Sequence, residues 1–237
     1  MKKETDLSKI KEVSICLLNA VPVRADKDIP FIANHPYTDS PILTGKDESG
    51  KYTVWHLTEK GDYEKWIKHM GSVIADAKDI RSLYCFVCKP YKLTFLKFAK
   101  PYMSNPDFSE YFGLAWTESE NPNMDVNCNL RTLTSWFKNV DKEKLMMPSD
   151  YQKYKKLPEK MTVYRGVAVG RNPSGLSWTD NKKVADWFSH RFDVKNETGY
   201  VQKAEISKDN VLAYFSTRNE DEIVVNTHAI KDKIQII

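Results

Sequence analysis

Glu220-Asp221-Glu222 runs straight into the apolar stretch Ile223-Val224-Val225, and the chain's clearest chemistry lies there. Residues two apart on an extended segment point to the same face, so Glu220 and Glu222 are expected side by side. Adjacent carboxylates repel each other unless something cationic lies against them. Upstream, Val163-Tyr164-Arg165-Gly166-Val167 reads as a strand interrupted by an arginine, whose planar fork suits a bidentate contact to phosphate or carboxylate. The missing side chain of Gly166 would let a ligand approach the backbone. Between these elements lies Ser177-Trp178-Thr179, and on a strand its two hydroxyls enter one site. Each element also has an ordinary structural reading. Arg165 suits an ion pair at a strand end, either hydroxyl suits a helix cap, and the glutamates suit a solvated turn after Arg218 and Asn219. The conjunction of the three, in the order arginine, serine, glutamate, favours a functional cleft.

The elements that must position these residues are legible in outline. Asp180 is a plausible N-cap for a helix reaching Arg191, with Val184, Ala185 and Phe188 at helical spacing. Short β-like runs are expected at 161–169, 199–206, 210–214 and 222–226. Before Leu157-Pro158 the chain reads as mainly helical. Asp62 can cap a helix over 63–78 that turns Trp66, Met70, Val73 and Ile74 inward. Residues 81–88 resemble a buried strand, and helices are expected over 91–103, 107–118 and 127–138. The apolar run at 12–23 fits a strand or a short buried helix, and Pro30 to Tyr52 reads as loop. Helices first and strands last argue for α+β architecture rather than alternating βαβ units.

Composition narrows the class. With 41% hydrophobic and 29% charged residues the chain is globular, not disordered. It contains no apolar run near the ~18 residues of a membrane span, and no apolar segment follows the basic start as in a secretory signal. A cytoplasmic location is therefore expected. The net charge of +4 is spread among interleaved acids and is weak support for a nucleic-acid partner. Cys16, Cys85, Cys88 and Cys128 are too scattered for a disulfide framework, and Cys85 and Cys88 read as structural thiols of a buried strand. The histidines form no metal-binding cluster, and neither a Rossmann nor a P-loop fingerprint occurs. Of the aromatics Tyr37, Tyr52, Trp55 and Tyr63, burial is favoured over an interface role.

Tyr164-Arg165-Gly166, Leu176-Ser177-Trp178-Thr179 and Glu220-Asp221-Glu222-Ile223-Val224-Val225 together resemble the arginine-serine-glutamate branch of the ADP-ribosyltransferase fold. That branch includes bacterial toxins, phage enzymes and vertebrate ecto-transferases. The likeness covers residues 158–237 by motif, with Ser-Trp-Thr standing where Ser-Thr-Ser is commoner. It implies an α+β fold in which a helical N-terminal part precedes a split pair of mainly antiparallel β-sheets forming an NAD cleft. The implied division is an N-terminal region over 1–80 of unassigned role and a catalytic domain over 81–237. Within that domain, residues 81–157 are a helical lead-in and 158–237 a β-rich core.

The resemblance further implies NAD as co-substrate, no metal, and transfer of ADP-ribose with release of nicotinamide. Breaking the nicotinamide–ribose bond builds positive charge on the sugar, as in glycosidases. A carboxylate aimed at the ribose stabilises that charge by an amount commonly near ~3–4 kcal/mol. By position Glu222 is the catalytic glutamate, Arg165 holds the NAD phosphates, and Gly166 offers backbone contacts to the nicotinamide amide. Ser177 orients Glu222, and Trp178 and Thr179 complete the cofactor site. Glu220 matches the first glutamate of a Glu-x-Glu pair associated with guanidinium acceptors, with Phe215-Ser216-Thr217-Arg218-Asn219 facing the acceptor. A protein acceptor modified on arginine is expected, with no membrane partner and with nucleic acid a less favoured acceptor. The alternatives are an NAD glycohydrolase toxin and an inactive binding module of the same fold. A bacterial or phage protein, acting in the latter case in the host-cell cytoplasm, fits the family.

Overall fold

The computed structural model describes residues 3–47, 49–195, 197–216 and 220–237. The chain divides into two compact units, Met1–Ser104 and Asn105–Ile237, so the division expected near residue 80 falls inside the first unit.

In the first unit, α1 (Leu7–Leu18) begins where the Asp6 carboxylate accepts the Lys9 N–H at 3.1 Å. It makes the ambiguous 12–23 run a helix only as far as Leu18, and it buries Ile10, Leu17 and Leu18. The expected loop before Tyr52 contains a strand, β1 (Ile42–Lys46), which pairs antiparallel with β2 (Tyr52–His56). Gly45 is required there because a Cβ would lie 2.2 Å from the Trp55 ring. Helix α2 (Lys60–Asp76) starts three residues earlier than its expected span. Glu59 occupies its N-cap, while Asp62 sits in the first turn and accepts the His56 N–H at 3.0 Å. Trp66, Met70 and Ile74 line its buried face.

The strand expected at 81–88 is instead a helix, α3 (Ile80–Phe86), followed by α4 (Lys92–Ala99). Asp79 caps α3 by accepting the Ser82 N–H at 2.8 Å, and Ile80, Leu83 and Tyr84 fall on one helical face. Cys85 and Phe86 are consequently exposed, so Cys85 is not the buried thiol expected. Helix α1 packs against α2, α3 and α4. Tyr37 and Trp55 are buried as expected, whereas Tyr52 is 72% exposed.

The second unit opens with four helices: α5 (Asn105–Glu118), α6 (Leu130–Asn139), α7 (Lys142–Leu145) and α8 (Pro148–Lys156). Their core is aromatic. Phe112 lies 4.6 Å from Phe137, and Trp116 meets Phe137 edge-on at 4.8 Å. Such pairs add about 0.5–1.5 kcal/mol each beyond the burial of their area. Gly113 lets α5 and α7 touch, since a Cβ would stand 2.0 Å from the Leu145 carbonyl oxygen.

The strands follow: β3 (Lys160–Val167), β4 (Ser177–Thr179), β5 (Tyr200–Ser207), β6 (Val211–Phe215), β7 (Glu222–Val225) and β8 (Gln235–Ile236). Helix α9 (Lys182–His190) intervenes after β4, and α10 (Thr227–Ile230) after β7. They form one antiparallel sheet in the order β6-β7-β4-β3-β5-β8 rather than the expected split pair. Its middle is nevertheless narrow, because β3 and β4 share the single registered pair Tyr164↔Thr179. Beyond that pair the two strands separate, and the gap is where the site lies. Among the described residues no helix is long and apolar enough to cross a membrane.

Candidate functional site

Arg165 follows Tyr164, the residue of β3 that pairs with β4, and is 8% exposed. Its guanidinium turns toward main chain: Nη1 donates to the Ser177 carbonyl at 2.6 Å and Nη2 to the Asn172 carbonyl at 3.0 Å. The side chain thus braces the 172–177 loop against β3 across the gap in the sheet. Gly175 makes the brace possible, since a Cβ there would come 2.1 Å from Nη2. Burial pulls the guanidinium down to about 10, with Glu222 and Tyr200 working in the opposite direction, so it stays charged at neutral pH. Its Nε is buried without a hydrogen-bond partner, as is the Oε1 of Gln202, its registered neighbour on β5. An unmet buried donor costs about 1–3 kcal/mol, and beside a cleft it is a place for an acceptor atom.

Gly166 serves a purpose other than the one expected. A Cβ there would meet the Ala185 carbonyl at 2.2 Å and the Ser189 nitrogen at 2.5 Å, so the missing side chain admits α9 rather than a ligand. Its backbone still lines the cleft.

Glu222 opens β7, opposite Thr179 on β4 and Phe215 on β6. Both carboxylate oxygens are gripped by one donor, the indole N–H of Trp116, at 3.1 and 3.2 Å. Ser177 supplies a second hydrogen bond. The Ser177 hydroxyl itself accepts the side-chain N–H of Asn123 at 3.1 Å, while Asn123 Oδ1 accepts the Leu176 N–H at 2.7 Å. With its lone pair engaged by Asn123, the hydroxyl keeps its proton for Glu222. Burial pushes the Glu222 carboxyl above its ordinary value, and Glu220 adds to this. Ser177, Trp116 and Arg165 each pull it back.

Glu220 does not reach the site through strand alternation. Asp221 has φ of 44°, the left-handed region, so the triplet bends instead of running extended. Glu220 therefore enters from a turn, and its carbonyl accepts the Thr179 hydroxyl at 3.4 Å. The same hydroxyl accepts the Asn181 N–H at 3.2 Å, and Asn181, not Asp180, caps α9. Trp178 is buried, with its indole N–H donated to the Gly175 carbonyl at 3.2 Å. Of the expected acceptor-facing loop, Phe215 lines the cleft, whereas Thr217, Arg218 and Asn219 lie outside the described residues.

All seven residues singled out in the sequence (Arg165, Gly166, Ser177, Trp178, Thr179, Glu220 and Glu222) line one cleft that opens to solvent. Its rim carries two further guanidiniums. Arg171 lies 4.6 Å and Arg191 5.2 Å from the centre of the Phe192 ring, and Arg191 also pairs with Glu120 at 3.6 Å. A flat aromatic between two cations, on the same cleft as a half-buried carboxylate, accommodates a ligand with anionic and aromatic parts.

Sequence reasoning missed Trp116, Asn123, Arg171, Arg191 and Phe192. Trp116 falls one turn after Phe112 and reads as core, and Asn123 belongs to a segment that reads only as a turn. Among the described residues no three His, Cys, Asp or Glu side chains gather as a metal site. No protein-family model, curated protein or solved structure matches the chain.

Proposed function

We propose that Asn105–Ile237 is a mono-ADP-ribosyltransferase that cleaves NAD and passes ADP-ribose to an arginine on a protein acceptor. The observation that carries this reading is the Glu222 carboxylate, held by Trp116 and Ser177 in a cleft that is also lined by Arg171 and Arg191. NAD fits the residues present: Arg171 and Arg191 offer guanidiniums to a diphosphate, and Phe192 offers an aromatic surface. When bound, it supplies an activated glycosidic bond. Glu222, fixed in advance, faces the positive charge that develops on the ribose as nicotinamide leaves, so little reorganisation is needed. Ser177 keeps the carboxylate's rotamer, and Arg165 keeps the loop that carries Ser177. Glu220, on the same cleft, is the carboxylate assigned to a guanidinium acceptor, which is protonated and a poor nucleophile until positioned.

The test is nicotinamide release from NAD by the purified chain, with and without cell lysate, followed by mass spectrometry of the labelled acceptor. Release is expected in both conditions, with the adduct on arginine. Glu222→Gln is expected to lower release by about 10²–10³-fold. An inactive wild type, or a Glu222→Gln variant as fast as the wild type, rejects the enzyme class. An adduct confined to a nucleobase or to asparagine rejects the acceptor alone.

A further inference from the structure

The segment joining β6 to β7 is tied at both ends to one face of α8. On the β6 side, buried Asp150 accepts the Ser216 N–H at 3.2 Å and its hydroxyl at 2.5 Å. On the β7 side, one turn further along α8, Lys153 Nζ lies 3.6 Å from Asp221 Oδ1 and 3.3 Å from the Tyr214 hydroxyl. The Tyr214 hydroxyl donates to the same Asp221 oxygen. A phenol has one proton, so accepting from Lys153 and donating to Asp221 uses it in a single orientation. The Lys153 and Tyr214 ties converge on Asp221, the one described non-glycine residue at positive φ. Asp221 adjoins Glu220, whose direction is set by this turn because strand alternation ends at Glu222.

We infer that Tyr214, Asp221 and Lys153 form a clamp that positions Glu220 and thereby decides whether ADP-ribose passes to a guanidinium or to water. The inference rests on the transferase reading above. In both outcomes the ribose C1–nitrogen bond breaks and its electron pair leaves with nicotinamide. In transfer, a guanidinium nitrogen forms the new bond to C1 and gives up a proton, which Glu220 accepts. In hydrolysis, a water oxygen forms that bond and loses the proton to solvent. Only the first course requires Glu220 in place, so loosening the clamp divides the two rates. Tyr214, Asp221 and Lys153 act at a distance, as positioning residues; none of them lines the cleft.

The experiment measures nicotinamide release without acceptor and ADP-ribosylation of agmatine, a small guanidinium, for wild type, Tyr214→Phe and Lys153→Met. Lys153 has a side chain 53% exposed, so its variant tests the clamp without disturbing the core. For each variant, transfer is expected to fall about tenfold with a raised KM for agmatine, the effect of about one hydrogen bond. Acceptor-free release should stay within about twofold of wild type. Transfer unchanged in both variants overturns the clamp, and so does a parallel fall of both rates at an unchanged Tm. A wild type that releases nicotinamide but never modifies agmatine also overturns it while leaving NAD cleavage standing. A wild type that releases none rejects the transferase reading itself.

Discussion

The Glu222 carboxylate is the residue on which function and stability pull apart. Its folded pKa lies above the unfolded one because burial disfavours the anion. The protonated form is thus the better-tolerated one, and the stabilisation it gives is complete below the unfolded pKa. That stabilisation is lost as pH rises through the folded value. Glu222→Gln removes the buried anion, so at neutral pH its Tm should exceed that of wild type, even though the proposed chemistry makes this variant far slower. The gap should close below about pH 4, where both side chains are neutral. Thermal melts across pH check this, and a variant that melts lower at pH 7 contradicts the burial argument. Trp116→Phe keeps an aromatic ring, though a smaller one, and deletes the donor to both oxygens. The acid limb of the activity profile should then move to higher pH, since one of the interactions pulling the pKa down is gone. Sequence made Glu222, Ser177 and Arg165 legible because each is a polar type within or at the start of a short strand. It did not reveal Trp116, because an indole on a helix's apolar stripe has the same spacing whether or not its N–H meets a carboxylate. Nor did it separate holding a phosphate from bracing a loop for Arg165, since both need a buried fork.

Among the elements, the sheet was legible strand by strand, while its order was not. Alternation and turn residues marked β3, β5, β6 and β7 within a residue or two. Pairing depends on contacts distant in sequence, and nothing local says that β4 bridges β3 and β7. The reversal at α3 has a local cause. Leu83-Tyr84-Cys85-Phe86-Val87 is apolar enough for a buried strand, but Asp79 accepting the Ser82 N–H starts a helix, and only every third or fourth residue is then buried. Gly166 shows the same limit. Sequence marks a close approach, and only the fold reveals that α9 is what approaches. Gly166→Ala puts a methyl against two backbone atoms that cannot rotate away, the Ala185 carbonyl and the Ser189 nitrogen. A loss of about 1–3 kcal/mol in a denaturant melt is expected, the usual range for overpacking. An unchanged midpoint would mean that α9 shifts freely on β3.

On the scale of the whole chain, the position of the division carries the next test. A cut at residue 81, where the sequence placed the catalytic domain, would keep α3 and α4 but discard α1, which packs against both. Leu83, Tyr84, Leu93, Phe95 and Leu96 are each at most 3% exposed, and that cut strips their cover away. A cut at Asn105 leaves them all in the first unit, together with α1. Every residue of the proposed site, from Trp116 to Glu222, then remains in a single piece. Newly exposed apolar surface of that kind drives association. The fragment 81–237 is therefore expected to aggregate or to melt without a cooperative transition. The fragment 105–237 is expected to stay monomeric, to unfold cooperatively and to release nicotinamide from NAD. Light scattering, a thermal melt and the release assay on both fragments decide the matter. If 81–237 is the better behaved of the two, α3 and α4 belong with the second unit. If 105–237 folds but is silent where the full chain is active, the first 104 residues contribute to the site itself.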